Sequence, residues 1–163
     1  MKILPISFKG MPPNYARIDE TVSRSAQPLS DDFIWLKEKE NVTDVVNFRT
    51  MVEPGVDFNE QAIVEKLGMK YHNIPSRSKH PNEESISEFL KITEEVKKKK
   101  GKVHIHCKAG ADRTGMYSYI YKAINNIGTP IENEIEWIAR GHNIKLFPNM
   151  ISWTKEFLKN FKP

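Results

Sequence analysis

The sequence predicts an α/β fold, with a mainly parallel central sheet flanked by helices and a helical C-terminal half. Three observations carry this. Short β-branched or apolar runs at 42–48, 69–74 and 102–106 suit buried strands. Amphipathic stretches of helical spacing separate them, and from residue 114 onward only helical patterns follow. A chain of 163 residues has the usual size of one domain, and no repeat, linker or low-complexity stretch divides it.

Residues 1–17 read as irregular, with Gly10-Met11-Pro12-Pro13-Asn14 a turn. Ser30 or Asp31 caps a short helix reaching about Glu40, and the run 42–48 is the first strand. A helix over 57–67 ends at Gly68, and the strand 69–74 stops at Pro75, which makes a β-α-β crossover. Pro81-Asn82 open a long helix in which Ile86, Phe89, Leu90, Thr93 and Val96 recur on one face until Gly101. After the strand 102–106 comes a helix over 114–127, with Met116, Ile120, Ala123 and Ile124 inward. Helices over 131–140 and 150–161 complete the chain.

The 25 Lys and Arg against 21 Asp and Glu give a net charge of +4, compatible with a small anionic substrate and unlike a nucleic-acid-binding profile. The basic run Lys97-Lys98-Lys99-Lys100 reads as a solvated helix end whose cations complement the dipole. No stretch has the apolar length of a signal peptide or a membrane span, so the chain reads as soluble and cytoplasmic, without integral membrane association. The mature form of an exported protein is the alternative, because cleavage leaves no trace. One cysteine excludes an internal disulfide, so its thiol is either an inert core group or a chemical one.

Its surroundings favour chemistry. In open α/β sheets an anion belongs at the carboxyl end of a strand where the next helix begins, and Cys107 occupies that junction. The small residues Ala109, Gly110 and Ala111 let successive backbone N–H groups converge on one anion, and Lys108 adds a cation beside the cysteine. Arg113 supplies a planar fork that matches two phosphate oxygens. Converging amides, helix dipole and guanidinium all favour a thiolate, the form that attacks phosphorus. The bland alternative is a buried structural thiol, which the Gly, Arg and Thr around it disfavour. No Gly-Lys-Ser/Thr ending supports a nucleotide triphosphate loop.

The segment His106-Cys107-Lys108-Ala109-Gly110-Ala111-Asp112-Arg113-Thr114-Gly115, a Cys-x5-Arg loop with a preceding His and a following Thr, resembles the signature of the protein tyrosine and dual-specificity phosphatase superfamily. A rhodanese-like sulfur transferase also sets a cysteine loop before a helix, but its fold and length differ. Ser23-Arg24-Ser25-Ala26-Gln27-Pro28 is similar to the Arg-Ser-x-x-Pro segment of atypical dual-specificity phosphatases of the plant and fungal type, so the likeness spans about 15–160. The resemblance implies a dual-specificity phosphatase-like domain over 1–163 that needs no cofactor and no metal. Its partner would be a phosphorylated substrate, a phosphoprotein or an inositol phosphate. By the same resemblance Cys107 attacks phosphorus, Arg113 binds the equatorial oxygens of the transition state, and the Thr114 hydroxyl helps the thiolate leave. His106 either orients the loop from behind or is a satisfied core histidine. Arg24 reads as a core-edge ion-pair residue in preference to a substrate contact.

The chain departs from the superfamily in one respect. Most members keep a general-acid Asp on the loop after the strand that corresponds to 69–74, and Pro75-Ser76-Arg77-Ser78-Lys79-His80-Pro81-Asn82 has none. Glu83 and Glu84 read as helix-start residues. Asp112 is the candidate acid, in a placement that resembles the myotubularin and Sac-type phosphoinositide phosphatases. Like charge from a phosphate dianion and a thiolate favours the protonated form that donates. Alternatively Asp112 caps the following helix or anchors Arg113. His80 and Asp57 are further candidates. Arg49, Arg77, Lys79 and Lys108 are expected around the mouth, with Arg49 alternatively paired to Glu53. The sequence leaves open phosphotyrosine, phosphoserine, inositol phosphate and lipid headgroup substrates, and the oligomeric state. The alternative of another class is a non-catalytic phosphate-binding pseudophosphatase.

Overall fold

A computed structural model describes residues 10–161; residues 1–9 of the irregular segment expected at 1–17 lie outside it. Four strands run parallel: β2 (Val22–Ser25), β3 (Asp44–Asn47), β4 (Lys70–Asn73) and β5 (Val103–His106). The two-residue β1 (Ala16–Arg17) closes one edge antiparallel to β2, giving the order β1-β2-β5-β3-β4. The helices are α1 (Ser30–Glu40), α2 (Glu60–Lys66), α3 (Glu83–Lys98), α4 (Arg113–Ile124), α5 (Pro130–Ala139) and α6 (Met150–Asn160). The mainly parallel sheet with flanking helices and a helical C-terminal half is therefore the observed fold, and β5 sits at its centre.

Strand alternation sorts the core into two faces. Val103 and Ile105 of β5, and Cys107 just past it, join Val46 and Phe48 in the larger cluster, which packs against α3, α4, α5 and α6. Val45 points the other way, into a smaller cluster with Phe33 and Leu36 of α1 and Val64 of α2. The ring of Phe48, just past β3, stacks on Tyr117 of α4 at 3.8 Å and 3° and meets Phe89 of α3 edge-on. That contact locks the helix that follows the cysteine loop to the strand beside it.

Three helix starts follow side-chain capping chemistry, whereas α1 begins at Ser30 after Leu29, so neither Ser30 nor Asp31 caps it. Asn59, Asn82 and Thr129 each accept a bond from a backbone N–H three residues on, so α2 begins at Glu60 where the apolar pattern alone suggested 57. In α4, Met116 and Ile120 face inward as expected, whereas Ala123 is exposed and Tyr117 and Tyr121 are buried instead.

The sequence reading did not find β1 and β2. Hydrophobic patterning misses β2 because three of its four residues are polar, yet all four are buried. Each polar side chain has its partner. Ser23 Oγ lies 2.8 Å from His104 Nδ1 and Ser25 Oγ 2.7 Å from His104 Nε2. Burial, and then neighbouring His106, hold His104 well below the ordinary histidine range. A neutral ring has one donor and one acceptor nitrogen, and hydroxyls satisfy both.

Replacing Phe48 by Ala removes a fully buried ring from the contact between β3, α3 and α4. We expect a loss of about 3–5 kcal/mol in urea unfolding. A loss below about 1 kcal/mol would show that the stack contributes little.

Candidate active site

Cys107 is 2% exposed at the end of β5, and the chain turns there into a loop leading to α4. The loop's carbonyls are taken from outside. Cys107 O accepts from His106 Nδ1 (3.0 Å) and Lys108 O from the Gln27 amide (2.9 Å). Ala109 O and Gly110 O accept from Asn14 Nδ2 (3.3 and 3.2 Å), and Gly110 O also accepts from Arg24 Nη2 (2.6 Å). By contrast, none of the five amides from Lys108 to Asp112 donates to any described residue. Carbonyls bound from outside and amides without a protein acceptor are what an anion nest requires. Gly110 is needed on two counts: its φ is +69°, and a Cβ there would lie 2.5–2.6 Å from the backbone of Ser25 and Ala26.

The braces form a connected set. His106 is fully buried on the α1–α2 side, with Nε2 2.8 Å from Glu60 Oε2. A backbone carbonyl on one side and a carboxylate on the other fix the plane of the ring. Glu60 also accepts from Gln27 Nε2 at 2.6 Å, which ties α2 to the segment after β2. Arg24 is 1% exposed, and the ion-pair reading gives way: it forms no salt bridge within the described residues and instead holds the loop carbonyl. Burial first, and then nearby Arg140, lower its pKa to about 10, so it is cationic at neutral pH; Glu136 and Cys107 oppose the shift.

Arg113 opens α4 and is held from the side. Glu53 accepts from its Nη1 at 2.6 Å and from its Nη2 at 3.1 Å, and the carbonyls of Ser76 and Phe48 lie 3.3 and 3.4 Å from Nη1. Nε has no partner among the described residues. The same carboxylate takes Arg49 Nε at 2.9 Å and the Thr50 amide at 2.9 Å. Burial pushes the Glu53 carboxyl up, but Arg113, then the Thr50 amide and Arg49, outweigh it and hold it at about 2. The expectation of Arg49 at the mouth is corrected: its guanidinium is buried and committed to Glu53, to Gln27 Oε1 and to Pro54 O.

The remaining candidates separate. Lys108, Ala109, Arg77 and Lys79 are exposed, Ala111 is buried, and His80 is exposed in a turn with Arg77. Asp57 lines a groove along α1 with Leu29, Trp35 and Phe58. Thr114 is fully buried and its Oγ1 has no partner among the described residues, which leaves a hydroxyl available to the cysteine it follows. Asp112 neither caps α4 with its side chain nor pairs with Arg113; its Oδ1 accepts from His142 Nδ1 (2.7 Å) and the Asn143 amide (2.9 Å).

Sequence reasoning missed Asn14, Gln27, Glu60 and His142, and saw Glu53 only as a partner for Arg49. Gln27 lies inside the recognised Ser23 to Pro28 segment, which was a signal. Asn14, at φ +57°, reads as an ordinary turn residue, and Glu60 as an ordinary helix start.

A family model described as a polymorphic toxin system, DSP-PTPase phosphatase, matches residues 20–138. Among solved structures, a putative phosphatase from Shewanella putrefaciens CN-32 superposes with a TM-score of 0.77 at 19% identity, over 94% of each chain. TpbA of P. aeruginosa gives 0.72 at 18%, over 88% of this chain and 84% of its own. The core catalytic domain of the PP-IP phosphatase SIW14 from S. cerevisiae gives 0.71 at 17%, over 93% and 87%. A search of curated protein sequences finds no match. Among the described residues no helix is long and apolar enough to cross a membrane.

A carboxyl with a lowered folded pKa adds stability that is full above its ordinary value of 4.5 and is lost as pH falls toward about 2. Glu53→Gln should therefore melt earlier than wild type at pH 7, with the gap closing as pH drops through that window. Freed Arg113 should lower kcat/KM by about 10²-fold. An unchanged kcat/KM would mean that Arg113 keeps its place without Glu53.

Proposed function

Because the chain belongs to the DSP-PTPase phosphatase family of polymorphic toxin systems, we propose that it is a phosphatase whose single domain hydrolyses a phosphomonoester through a phosphocysteine intermediate. The observation that supports this reading is the loop from Cys107 to Arg113, with four carbonyls bound by donors from outside it, five amides without a partner among the described residues and a held guanidinium at its end. The thiolate of Cys107 attacks phosphorus, the S–P bond forms, and the P–O bond to the leaving group breaks. Amides and Arg113 hold the equatorial oxygens as charge builds on them. Water then attacks the phosphocysteine, and the buried Thr114 hydroxyl offers a hydrogen bond to the departing thiolate.

Asp112 is the proton donor in this reading. Glu53 is committed to two arginines and held at about 2, so it does not serve. Asp57 lies along α1, and His80 sits in an exposed turn. Asp112 has one oxygen engaged and belongs to the loop itself. Lys108, Arg77 and Lys79 provide exposed cations near the mouth, which suits a phosphorylated group carrying further negative charge. Phosphotyrosine, bound by TpbA, and PP-IP, the substrate class of SIW14, are the two chemistries to set against each other.

Cys107→Ser should lower aryl phosphatase activity by roughly 10⁴-fold or more while still binding inorganic phosphate. Acid-quenched wild type should carry one added phosphoryl group by intact mass. A wild type as inactive as Cys107→Ser would leave only a phosphate-binding module. Asp112→Asn should lower kcat/KM for an alkyl phosphate by about 10²-fold or more, and far less for an aryl phosphate with an acidic phenol. Equal factors on the two substrates would remove Asp112 as the acid.

A further inference from the structure

We propose that His142 is a positioning residue that fixes which oxygen of Asp112 carries the catalytic proton, an inference resting on Asp112 as the general acid. His142 lies just after α5, thirty residues from the cysteine loop, and its side chain is 1% exposed.

The case begins with how Asp112 is held. It stands at the start of α4, where an aspartate ordinarily bonds the amides of the first helical turn, and it makes no such bond. It also forms no ion pair with the adjacent Arg113, whose guanidinium is taken by Glu53. Its side chain is bound instead by the segment after α5, through His142 Nδ1 at 2.7 Å and the Asn143 amide at 2.9 Å. Both donors converge on Oδ1.

When the carboxyl is protonated, that convergence fixes which oxygen holds the proton. In a protonated carboxyl the carbonyl oxygen accepts and the hydroxyl oxygen donates. Two donors on Oδ1 assign it as the carbonyl oxygen and leave the proton to Oδ2. Without them the carboxyl turns about a broad terminal torsion, and the proton is shared between oxygens that point in different directions. A general acid needs its proton within hydrogen-bond reach of the leaving oxygen, so this restriction affects the rate.

The histidine is itself held rigidly. Its ring lies against Trp137 with centroids 4.8 Å apart. Trp137 is 1% exposed and seated on Gly115, where a Cβ would lie 2.1 Å from the indole. Gly115 therefore lets Trp137 approach α4, Trp137 sets the His142 ring, and His142 sets Asp112. The proton balance is complete without further groups. Oδ2–H passes its proton to the leaving oxygen as the P–O bond breaks, and Asp112 recovers one from the water that hydrolyses the phosphocysteine. His142 keeps its Nδ1 hydrogen throughout.

The test compares kcat/KM for an alkyl phosphate and for an aryl phosphate with a strongly acidic phenol, in wild type, Asp112→Asn, His142→Ala and His142→Asn. The aryl substrate needs no acid, so the aryl-to-alkyl ratio reports proton donation and is indifferent to a general loss of folded enzyme. His142→Ala should raise that ratio by about 10- to 100-fold. His142→Asn, whose amide reaches the place of Nδ1, should recover most of the loss. Combined with Asp112→Asn, His142→Ala should change the ratio no further.

If Asp112→Asn shifts the ratio and neither His142 variant does, the positioning role is wrong and the acid assignment stands. If Asp112→Asn does not shift it, the acid assignment falls and this inference with it. Should His142→Ala fail to fold, an aryl-to-alkyl ratio in His142→Asn more than tenfold from wild type would contradict the rescue and overturn the proposal.

Discussion

The active site depends on the direction in which four peptide units point. An anion cradle made of backbone amides exists only if those amides are turned inward, and a peptide plane turned that way sends its carbonyl outward into protein. Each such carbonyl, buried without a donor, would cost about 1–3 kcal/mol. Asn14, Arg24, Gln27 and His106 supply the donors, from a turn before β1, from β2, from the segment after it and from the end of β5. Much of the rest of the fold follows. β2 must lie beside β5, its backbone must approach Gly110 closely, and α2 must bring Glu60 to His106.

Charge is distributed with the same economy. Arg24 sits behind the loop as a buried cation held by a carbonyl, while Arg113 stands at its mouth, matched by a carboxylate. The first forms no salt bridge within the described residues, so a thiolate or phosphate in the cradle lies in a field that favours it. The second is kept in place by Glu53, which Arg49 and the Thr50 amide anchor in turn. Glu53 thus holds the Nη end of Arg113 and leaves Nε without a protein partner among the described residues.

On the proposed reading, proton supply falls to another layer of the fold. The loop after β4 gives Arg113 a carbonyl from Ser76 but no acidic side chain. The carboxylate of the cysteine loop is instead tied to the segment after α5. The helical C-terminal half, which covers the sheet through Trp137 and Met150, therefore also bears on the chemistry.

The sequence by itself determined the strands β3, β4 and β5, all six helices and the identity of the cysteine loop, because these rest on local signals. Apolar alternation, Asn and Thr caps and a contiguous Cys-x5-Arg segment are all read within a few residues. Only the tertiary structure decided that β2 is a strand, since its serines and arginine are made apolar in effect by partners some 80 residues away, at His104 and Gly110. It likewise decided that Arg49 is buried, that Arg24 grips a carbonyl, that Glu53 serves Arg113 and that Asp112 answers to His142. Those assignments depend on which buried donor meets which acceptor. Such pairs are long-range, and a polar side chain shows in its own neighbourhood only that it needs a partner, not where the fold will supply one.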